Sequence, residues 1–236
     1  MSSRSAAPTE ALPSTAERRG SRCERLAEAP HSATDQVSCR LLSVLAYAAR
    51  CHVGQRRQSD GAPFVEHLSE VARLLRDAGC ADVVVAAGLL HSVLQDTDVS
   101  AAELTERFGA TVSDLVQAIT DDCVGSYPQR KHAVRERVRR ADHDAALLFA
   151  ANEIAEVREL ADEVRRERAR VGPDAASEHA RHRLERYQQM RLGEHHASLA
   201  MLLRAAPEHR LVRRLAEDLD GCPISVRRAQ RVPAAP

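Results

Sequence analysis

The sequence predicts an all-α protein built as a bundle of helices, and three observations support this. Apolar residues recur at steps of three and four along most of the chain, as they do in amphipathic helices. No stretch shows the sustained alternation of apolar and polar residues that is typical of a strand. The 236 residues, of which 44% are hydrophobic, are also enough to bury a substantial core.

The first two helices are predicted on either side of a turn. The first, at residues 36–52, carries leucines on one side. Asp60 and Gly61 form a turn signal, so a loop is expected between this helix and the next. Pro63 suits the first turn of the second helix, which we expect to end at Asp77.

The remaining helices follow from the same period. Residues 83–95 are apolar nearly all round, which predicts a central helix enclosed by others. Ser100 with Glu103 is the signature of a capping box at the start of a short helix, which Gly109 ends. Further helices are predicted at residues 112–121, 128–140, 144–169 and 175–204.

Composition divides the chain into three parts. Residues 1–35 mix Ser, Ala, Pro and charged residues without a helical or strand period, which indicates a disordered leader. Residues 36–205 carry the helical period and are predicted to form one domain. Residues 206–236 are predicted to hold a terminal helix and a disordered tail that closes on Pro and Ala.

Charge and aromatic content argue against several classes of function. The 34 basic residues balance the 34 acidic ones, so the chain has no global attraction to nucleic acid or anionic lipid. Aromatic residues make up 3% of the chain and Trp is absent, which disfavours stacking surfaces for single-stranded nucleic acid. No apolar run approaches the length of a transmembrane helix. We therefore expect a cytoplasmic protein with neither a nucleic-acid nor a membrane partner.

The predicted central helix carries a group of polar side chains. His91, Ser92, Gln95 and Asp96 stand at offsets 0, 1, 4 and 5, so they share one side of a helix that is otherwise apolar. Buried polar groups need hydrogen-bond partners, and a polar stripe in a buried helix usually marks a site. The stripe therefore predicts a functional pocket inside the bundle.

The motifs around this stripe resemble those of a known family. They are His52-x-Gly54-Gln55-Arg56-Arg57, Gly61-x-Pro63-Phe64-x-x-His67, Ala87-x-Leu89-Leu90-His91-x-x-x-x-Asp96-Thr97, Phe108-Gly109 and Ile119-Thr120. In order and spacing, residues 37–205 resemble the HD-domain hydrolases of the RelA/SpoT family. The resemblance implies an HD-domain helical bundle and removal of the 3′-diphosphate from guanosine tetra- and pentaphosphate with manganese. It also implies a part in the stringent response.

The resemblance assigns the metal and catalytic positions. The family's metal ligands correspond to His67, His91, Ser92 and Asn152, and its catalytic Glu-Asp pair to Gln95 and Asp96. Ser92 and Asn152 stand where the family has aspartates, and Gln95 stands where it has glutamate. Two of the four ligands and the catalytic Glu are therefore replaced, whereas both histidines and the Asp are retained.

The resemblance also places contacts to the nucleotide. These positions are Arg57, Arg130, Lys131, Glu156 and Arg183. Glu156 stands where the family has an Asn, and a basic residue after the Arg pair is replaced by Gln58. The implied partner is a guanine nucleotide such as ppGpp, and a protein partner is a second expectation.

These replacements predict that the metal is lost. Manganese prefers charged oxygen ligands, whereas a Ser hydroxyl and an Asn carbonyl are neutral. A four-ligand structural zinc site contributes roughly 10–16 kcal/mol, so two absent ligands cost on the order of 5–8 kcal/mol. Gln95 cannot accept a proton as Glu would. We therefore expect no cofactor, with Mn²⁺ only if other side chains replace the lost ligands.

Three functions remain open, and with them the question whether the chain is an enzyme. The first is a catalytically impaired relative of guanosine-3′,5′-bis(diphosphate) 3′-pyrophosphohydrolase that binds nucleotide or regulates a partner. The second is an active metal-dependent (p)ppGpp pyrophosphohydrolase in which Glu153 or Glu156 replaces a lost Asp. The third is a purely structural interaction domain.

Several of these residues also have a simpler interpretation. His67 and His91 can be interior histidines that are hydrogen-bonded to neighbouring side chains. Asp96 can hold the turn that follows it rather than act as a base. Arg56 and Arg57 can be solvated ion-pair partners rather than contacts to phosphate.

Overall fold

The structure, a computed structural model, describes residues 33–170 and 178–224. The chain divides into two compact units, residues 1–39 and residues 40–236, and the second holds every side chain of the predicted site. The predicted leader, apart from its last residues, and the predicted tail beyond residue 224 lie outside the described residues.

Apart from an isolated bridge between Arg56 and Pro63, the regular elements of the described residues are helices. They are α1 (Ala33–Cys51), α2 (Val65–Asp77), α3 (Asp82–Leu90), α4 (Val93–Asp96), α5 (Ala101–Phe108), α6 (Ala110–Ile119), α7 (Tyr127–Arg140), α8 (His143–Arg170), α9 (Glu178–Ala205) and α10 (Arg210–Asp220). The predicted all-α fold is confirmed. None of the described helices has the length and apolar character needed to cross a membrane.

Helix α8 is the axis of the bundle. It packs against α2, α3, α6, α7, α9 and α10. Residues 145–155 form a continuous buried run, to which Leu148, Phe149 and Ile154 contribute the largest side chains. Asn152 and Glu153 belong to the same run. Two polar side chains therefore stand inside the hydrophobic core, where each needs a partner.

Helix α3 is enclosed as expected, and Gly88 lets it lie close to α2. Every residue of α3 from position 84 onward is buried. A Cβ on Gly88 would lie 2.6 Å from Leu75 Cδ1 and 3.5 Å from Val71 Cγ1. The absence of a side chain at this position is therefore what permits the close approach of the two helices.

The helix predicted at residues 83–95 is interrupted. A turn at His91 and Ser92 separates α3 from α4. The His91 ring donates from Nδ1 to Gly88 O at 2.8 Å. A side chain that takes a helix carbonyl competes with the backbone N–H that would continue the helix. Both residues keep right-handed helical dihedrals, so the polar side chains still follow one another along the same segment.

The capping box predicted at the start of α5 is half formed. Ser100 Oγ accepts from Glu103 N at 3.2 Å, as the pattern predicts. The Glu103 carboxylate does not complete the box, because Oε1 accepts from the Tyr47 hydroxyl and from Arg107 Nε, both at 2.8 Å. This carboxylate therefore ties α5 to α1 instead.

Helix α10 closes the bundle against α8 and α9. Its buried side chains are Leu211, Val212, Leu215 and Leu219. Arg158 of α8 donates from Nη1 to Glu70 Oε1 at 2.8 Å and from Nε to Asp218 Oδ2 at 2.7 Å. This arginine joins α2, α8 and α10, so the terminal helix belongs to the same compact unit as the helices before it.

Candidate functional site

The polar residues of the bundle meet in a cavity of about 600 Å³. It is bordered by the loop after α1, by α2, by the turn between α3 and α4, and by α7, α8 and α9. The predicted site residues that line it are Arg57, His67, His91, Ser92, Gln95, Asp96, Arg130, Lys131, Asn152 and Glu156. Arg183 does not line it and is exposed on α9, whereas Arg191, two turns further along, faces the cavity.

The two predicted histidines and Asn152 are in direct contact. His67 Nε2 lies 3.2 Å from His91 Nε2 and 3.2 Å from Asn152 Oδ1. On the other edge of the ring, His67 Nδ1 lies 2.9 Å from Glu159 Oε1. These three side chains and Ser92 are buried. The fold therefore brings together the four positions to which the resemblance assigns a metal.

The partners of these atoms fix the position of the ring hydrogens. His91 Nδ1 faces Gly88 O, and because a carbonyl only accepts, Nδ1 must carry a hydrogen. Burial, together with the charge on His67, lowers the pKa of His91 to about 3. His91 Nε2 is then a bare acceptor. His67 Nε2 therefore donates, and it is shared between His91 Nε2 and Asn152 Oδ1.

The same arrangement holds His67 as a cation. Burial alone would lower the pKa of His67, but the hydrogen bond and charge of Glu159, followed by the charge of Glu156, outweigh it and raise the pKa. With Nδ1 donating to Glu159 and Nε2 donating on the other side, the ring is an imidazolium. A positive charge therefore lies at the centre of this group of side chains.

Asn152 extends the network to Glu156 and Lys131. Asn152 Nδ2 donates to Glu156 Oε1 at 2.8 Å. Lys131 Nζ donates to both oxygens of Glu156, at 2.8 and 3.1 Å. Burial alone would raise the pKa of Glu156, but the charge of Lys131, followed by that of His195, holds it well below its usual range. Glu156 is therefore ionised, and both of its oxygens have donors.

Gln95 and Asp96 lie at the edge of the cavity. Gln95 Oε1 accepts from Asp121 N at 3.2 Å, which joins α4 to the loop after α6. Burial raises the pKa of the Asp96 carboxyl. The turn after Asp96 is held by the Thr97 hydroxyl, which accepts from Val99 N at 3.3 Å.

Arg57 is held within the loop between α1 and α2. It forms an ion pair with Asp60, and its Nη1 lies 3.7 Å from Glu159 Oε1. The hydrogen bond from Arg57, followed by one from Ala62 N, holds the pKa of Asp60 below its usual value. Gly61 has a φ of +75°, a conformation that glycine adopts without strain. The loop is therefore closed around this ion pair, and the Arg57 side chain is only 14% exposed rather than solvated.

Two carboxylates on α8 that line the cavity were missed from the sequence. Glu159 and Glu163 line the cavity on α8, together with Asn152 and Glu156. These four residues stand at offsets 0, 4, 7 and 11, which places them on one face of a helix. A search for polar rather than apolar period along α8 would have found them.

The residues at the family's metal positions do not fit a hard divalent ion. Their donors are two imidazoles, an amide and a hydroxyl, without a carboxylate. Manganese prefers charged oxygen ligands. His67 Nε2, moreover, lies 3.2 Å from both His91 Nε2 and Asn152 Oδ1, so it already has partners within the protein. No chemical step through an ion follows from these side chains.

A second group of potential ligands lies deeper in the bundle. Within the described residues, Glu153, Glu156 and His195 offer ligand atoms that lie within 4.8 Å of one another. His195 Nδ1 and Glu153 Oε2 are 2.7 Å apart, and both side chains are almost wholly buried. Glu153 Oε1 and His195 Nε2 have no hydrogen-bond partner in the part of the chain that the structure describes. The ammonium of Lys131, however, already serves Glu156 as a cation.

The family follows from a comparison with known proteins. A family model described as "HD domain" matches residues 44–177. The chain belongs to the HD-domain family. The match begins in α1 and extends past α8, so the HD domain includes every cavity residue except Tyr187 and Arg191, which lie on α9. The predicted family resemblance is therefore confirmed.

The HD domain is similar to MESH1 proteins, which are named guanosine-3′,5′-bis(diphosphate) 3′-pyrophosphohydrolases. The human protein is 35% identical over 145 residues, which cover 60% of this chain and 76% of the human one. The Danio rerio protein is 37% identical over 123 residues, which cover 51% of this chain and 68% of the fish one. These likenesses place the chain among MESH1/SpoT-like HD domains.

Two solved structures support the fold of the HD domain. One is a metazoan ortholog of SpoT, described as hydrolysing ppGpp and playing a role in starvation responses. It has a TM-score of 0.57 and 24% identity, covering 78% of this chain and 96% of that one. The other, a Listeria monocytogenes protein, has a TM-score of 0.53 and 23% identity, covering 69% and 98%. The predicted HD-domain bundle is confirmed.

Proposed function

We propose that this HD domain binds a guanine nucleotide without hydrolysing it and acts as a regulatory module through that binding. The substrate class comes from its relatives, which are named as hydrolases of guanosine-3′,5′-bis(diphosphate). The proposal carries the nucleotide over to this chain and leaves out the hydrolysis. A protein that responds to the bound state is the second partner it implies.

The observation that carries the proposal is the network at the centre of the cavity. Glu159, His67, Asn152, Glu156 and Lys131 are joined in that order by hydrogen bonds of 2.8–3.2 Å. Both nitrogens of the His67 ring and both oxygens of the Glu156 carboxylate have partners within this network. The network therefore satisfies these side chains without an ion.

Two sets of replacements support the absence of hydrolysis: the neutral side chains of Ser92 and Asn152, and the glutamine at position 95. A bound dication lowers the pKa of its water ligand from about 15.7 to about 7, which makes hydroxide available at neutral pH. A glutamine at position 95 is not a base at neutral pH. Binding remains feasible, since small-molecule sites usually enclose roughly 300–1,000 Å³. The cavity of about 600 Å³ lies within that range.

Three measurements on the full chain test the proposal. After incubation with Mn²⁺ and dialysis, we expect no stoichiometric metal, and with Mn²⁺ present we expect no pyrophosphate release from ppGpp. A guanine nucleotide should raise the melting temperature in the presence of EDTA, with about 2.7 kcal/mol of stabilisation at one hundred times its Kd. Bound Mn²⁺ with matching hydrolysis would overturn the proposal, and no thermal shift with any guanine nucleotide would favour the structural interaction domain.

A second candidate is an active hydrolase whose ion is held by other residues. The grouping of Glu153, Glu156 and His195, with two buried atoms that lack partners, favours it. If this candidate holds, the wild-type chain takes up Mn²⁺ and Glu156→Ala abolishes the uptake. Glu136→Ala removes an exposed carboxylate outside the cavity and is the matched control. Uptake that is unchanged by Glu156→Ala removes this ligand set from consideration.

A further inference from the structure

The ionised side chains of the cavity are balanced. Among its described lining residues, the cationic Arg and Lys side chains are Arg56, Arg57, Arg130, Lys131 and Arg191. The acidic ones are Asp96, Asp121, Glu156, Glu159 and Glu163. Both ring nitrogens of His67 already face protein partners, Glu159 Oε1 at 2.9 Å and Asn152 Oδ1 at 3.2 Å. A ligand therefore meets little uncompensated positive charge.

Four of the five Arg and Lys side chains are paired with a carboxylate that also lines the cavity. The pairs are Arg57 with Glu159 at 3.7 Å, Arg130 with Asp121 at 3.3 Å, Lys131 with Glu156 at 2.8 Å and Arg191 with Glu163 at 2.9 Å. Their side chains are between 11% and 28% exposed. Removing one partner of such a pair leaves a poorly hydrated charge behind. Each of these four cations can therefore bind a phosphate group only if its ion pair breaks, which costs free energy.

Arg56 differs from the other four. It has no carboxylate partner among the described residues, and its Nη1 donates to Gly61 O at 2.8 Å. The residue is exposed, so its guanidinium can turn toward a ligand without uncovering a buried acid. One guanidinium makes two parallel hydrogen bonds to a phosphate group. The cavity thus offers one such contact at low cost.

Two aromatic rings supply contacts that do not depend on charge. Tyr127 and Tyr187 line the cavity with ring centroids 6.5 Å apart. Tyr187 is 46% exposed, so part of its ring is accessible beside Arg191, whose guanidinium carbon lies 5.9 Å from the ring centroid. Stacking on an aromatic face is available to every base. A nucleobase can therefore be bound even where phosphate groups are not.

We propose that the cavity selects a guanine nucleoside that carries at most one phosphate group, in preference to a polyphosphate such as ppGpp. This inference rests on the proposed function for the nucleotide class. Each additional phosphate would have to take a cation from one of the four pairs. It would leave the displaced carboxylate in the same cavity as the ligand, where like charges repel.

Calorimetric titration of the full chain in EDTA tests this selection. The probes are guanosine, GMP, GDP and ppGpp. We expect guanosine or GMP to bind at least about tenfold more tightly than ppGpp, the size of one charge-assisted hydrogen bond. Tighter binding of ppGpp would overturn the selection and leave the proposed function in place. No binding by any of the four would overturn the proposed function and the selection with it.

Variants that remove one carboxylate partner test whether the ion pairs are what weakens the binding of ppGpp. Glu156→Gln frees Lys131, and Asp121→Asn frees Arg130 on another wall. Each should raise the affinity for ppGpp relative to guanosine by about tenfold. Glu136→Gln breaks an exposed ion pair with Arg139 outside the cavity and should leave the ratio unchanged. Should Glu156→Gln fail to fold, Asp121→Asn decides, and an unchanged ratio in the folded variants contradicts the proposal.

Discussion

Asn152 shows why a neutral side chain suits this site. Its Oδ1 accepts from His67 Nε2 while its Nδ2 donates to Glu156 Oε1 at 2.8 Å. An aspartate of the same shape could accept from His67, but its second oxygen would face the Glu156 carboxylate. Like charges at that distance raise the pKa of one partner and destabilise the pair. The amide at position 152 and the carboxylate at position 156 therefore depend on each other.

Restoring the family's carboxylates should restore metal binding before catalysis. In the triple variant Ser92→Asp, Asn152→Asp and Gln95→Glu, we expect measurable Mn²⁺ uptake, because two charged oxygen ligands join two imidazoles. Turnover should lag, since Gln58 and Glu156 still depart from the substrate pattern that the family resemblance implies. Metal stoichiometry and pyrophosphate release from ppGpp measure the two effects. Gln95→Glu alone is the control, and hydrolysis by the triple variant without Mn²⁺ uptake would contradict the expectation.

The partly buried pair of Lys131 and Glu156 should make stability depend on pH. Glu156→Gln leaves the ammonium without its counter-charge, which we expect to lower the free energy of unfolding by about 2 kcal/mol at pH 7. The folded-state pKa of Glu156 lies below its unfolded value of about 4.5, so its stabilisation is complete above that value and is lost as the pH falls. Urea unfolding at pH 7, 5, 4 and 3 should show the difference from wild type shrinking below pH 5. Glu136→Gln is the exposed control, and a difference that is constant with pH would sink the assignment.

At the scale of the element, apolar period predicted helices better than it predicted their ends. The burial of α3 was predictable because the segment is apolar all round. The break at His91 and Ser92 was not, since it depends on a side chain bonding to the Gly88 carbonyl rather than on hydropathy. Likewise, the polar face of α8 is present in the sequence. The cations that pair with Glu156 and Glu163 lie on α7 and α9, however, and contact that face only because the helices pack together.

The contact between α2 and α3 should depend on Gly88. In Gly88→Ala, the new Cβ would lie 2.6 Å from Leu75 Cδ1, and Leu75 is fully buried. We expect a net destabilisation of about 1–2 kcal/mol, because overpacking outweighs the higher helix propensity of Ala. Gly193→Ala on α9 is the matched control. A Cβ there would meet nothing within 4 Å, so propensity alone should stabilise the helix by about 0.5–1 kcal/mol. Urea unfolding measures both, and equal effects of the same sign would contradict the close approach.

At the scale of the whole molecule, the balance of charge recurs inside the cavity. The chain has 34 basic and 34 acidic residues, and its cavity pairs four of its cations with acids. The balanced net charge predicts that any attraction to polyanions has to come from a local group of cations. It could not reveal that the local cations are also paired, because three of the four pairs join residues 25 or more positions apart and form only through packing.

At the scale of the whole chain, the folded unit extends beyond residue 205 to include α10, and truncation tests whether α10 is needed for folding. A chain that ends at Ala205 loses α10 and with it the burial of Leu211, Val212, Leu215 and Leu219. At about 1.5–3 kcal/mol for each buried side chain, the loss is about 6–12 kcal/mol. That range is similar to the total stability of a typical domain, about 5–15 kcal/mol.

We expect the chain that ends at Ala205 to melt without a cooperative transition by circular dichroism. A chain that ends at Ile224 separates the effect of α10 from that of the residues after it. Cooperative melting of the shorter chain near the full-length temperature would show that the domain ends at residue 205 after all.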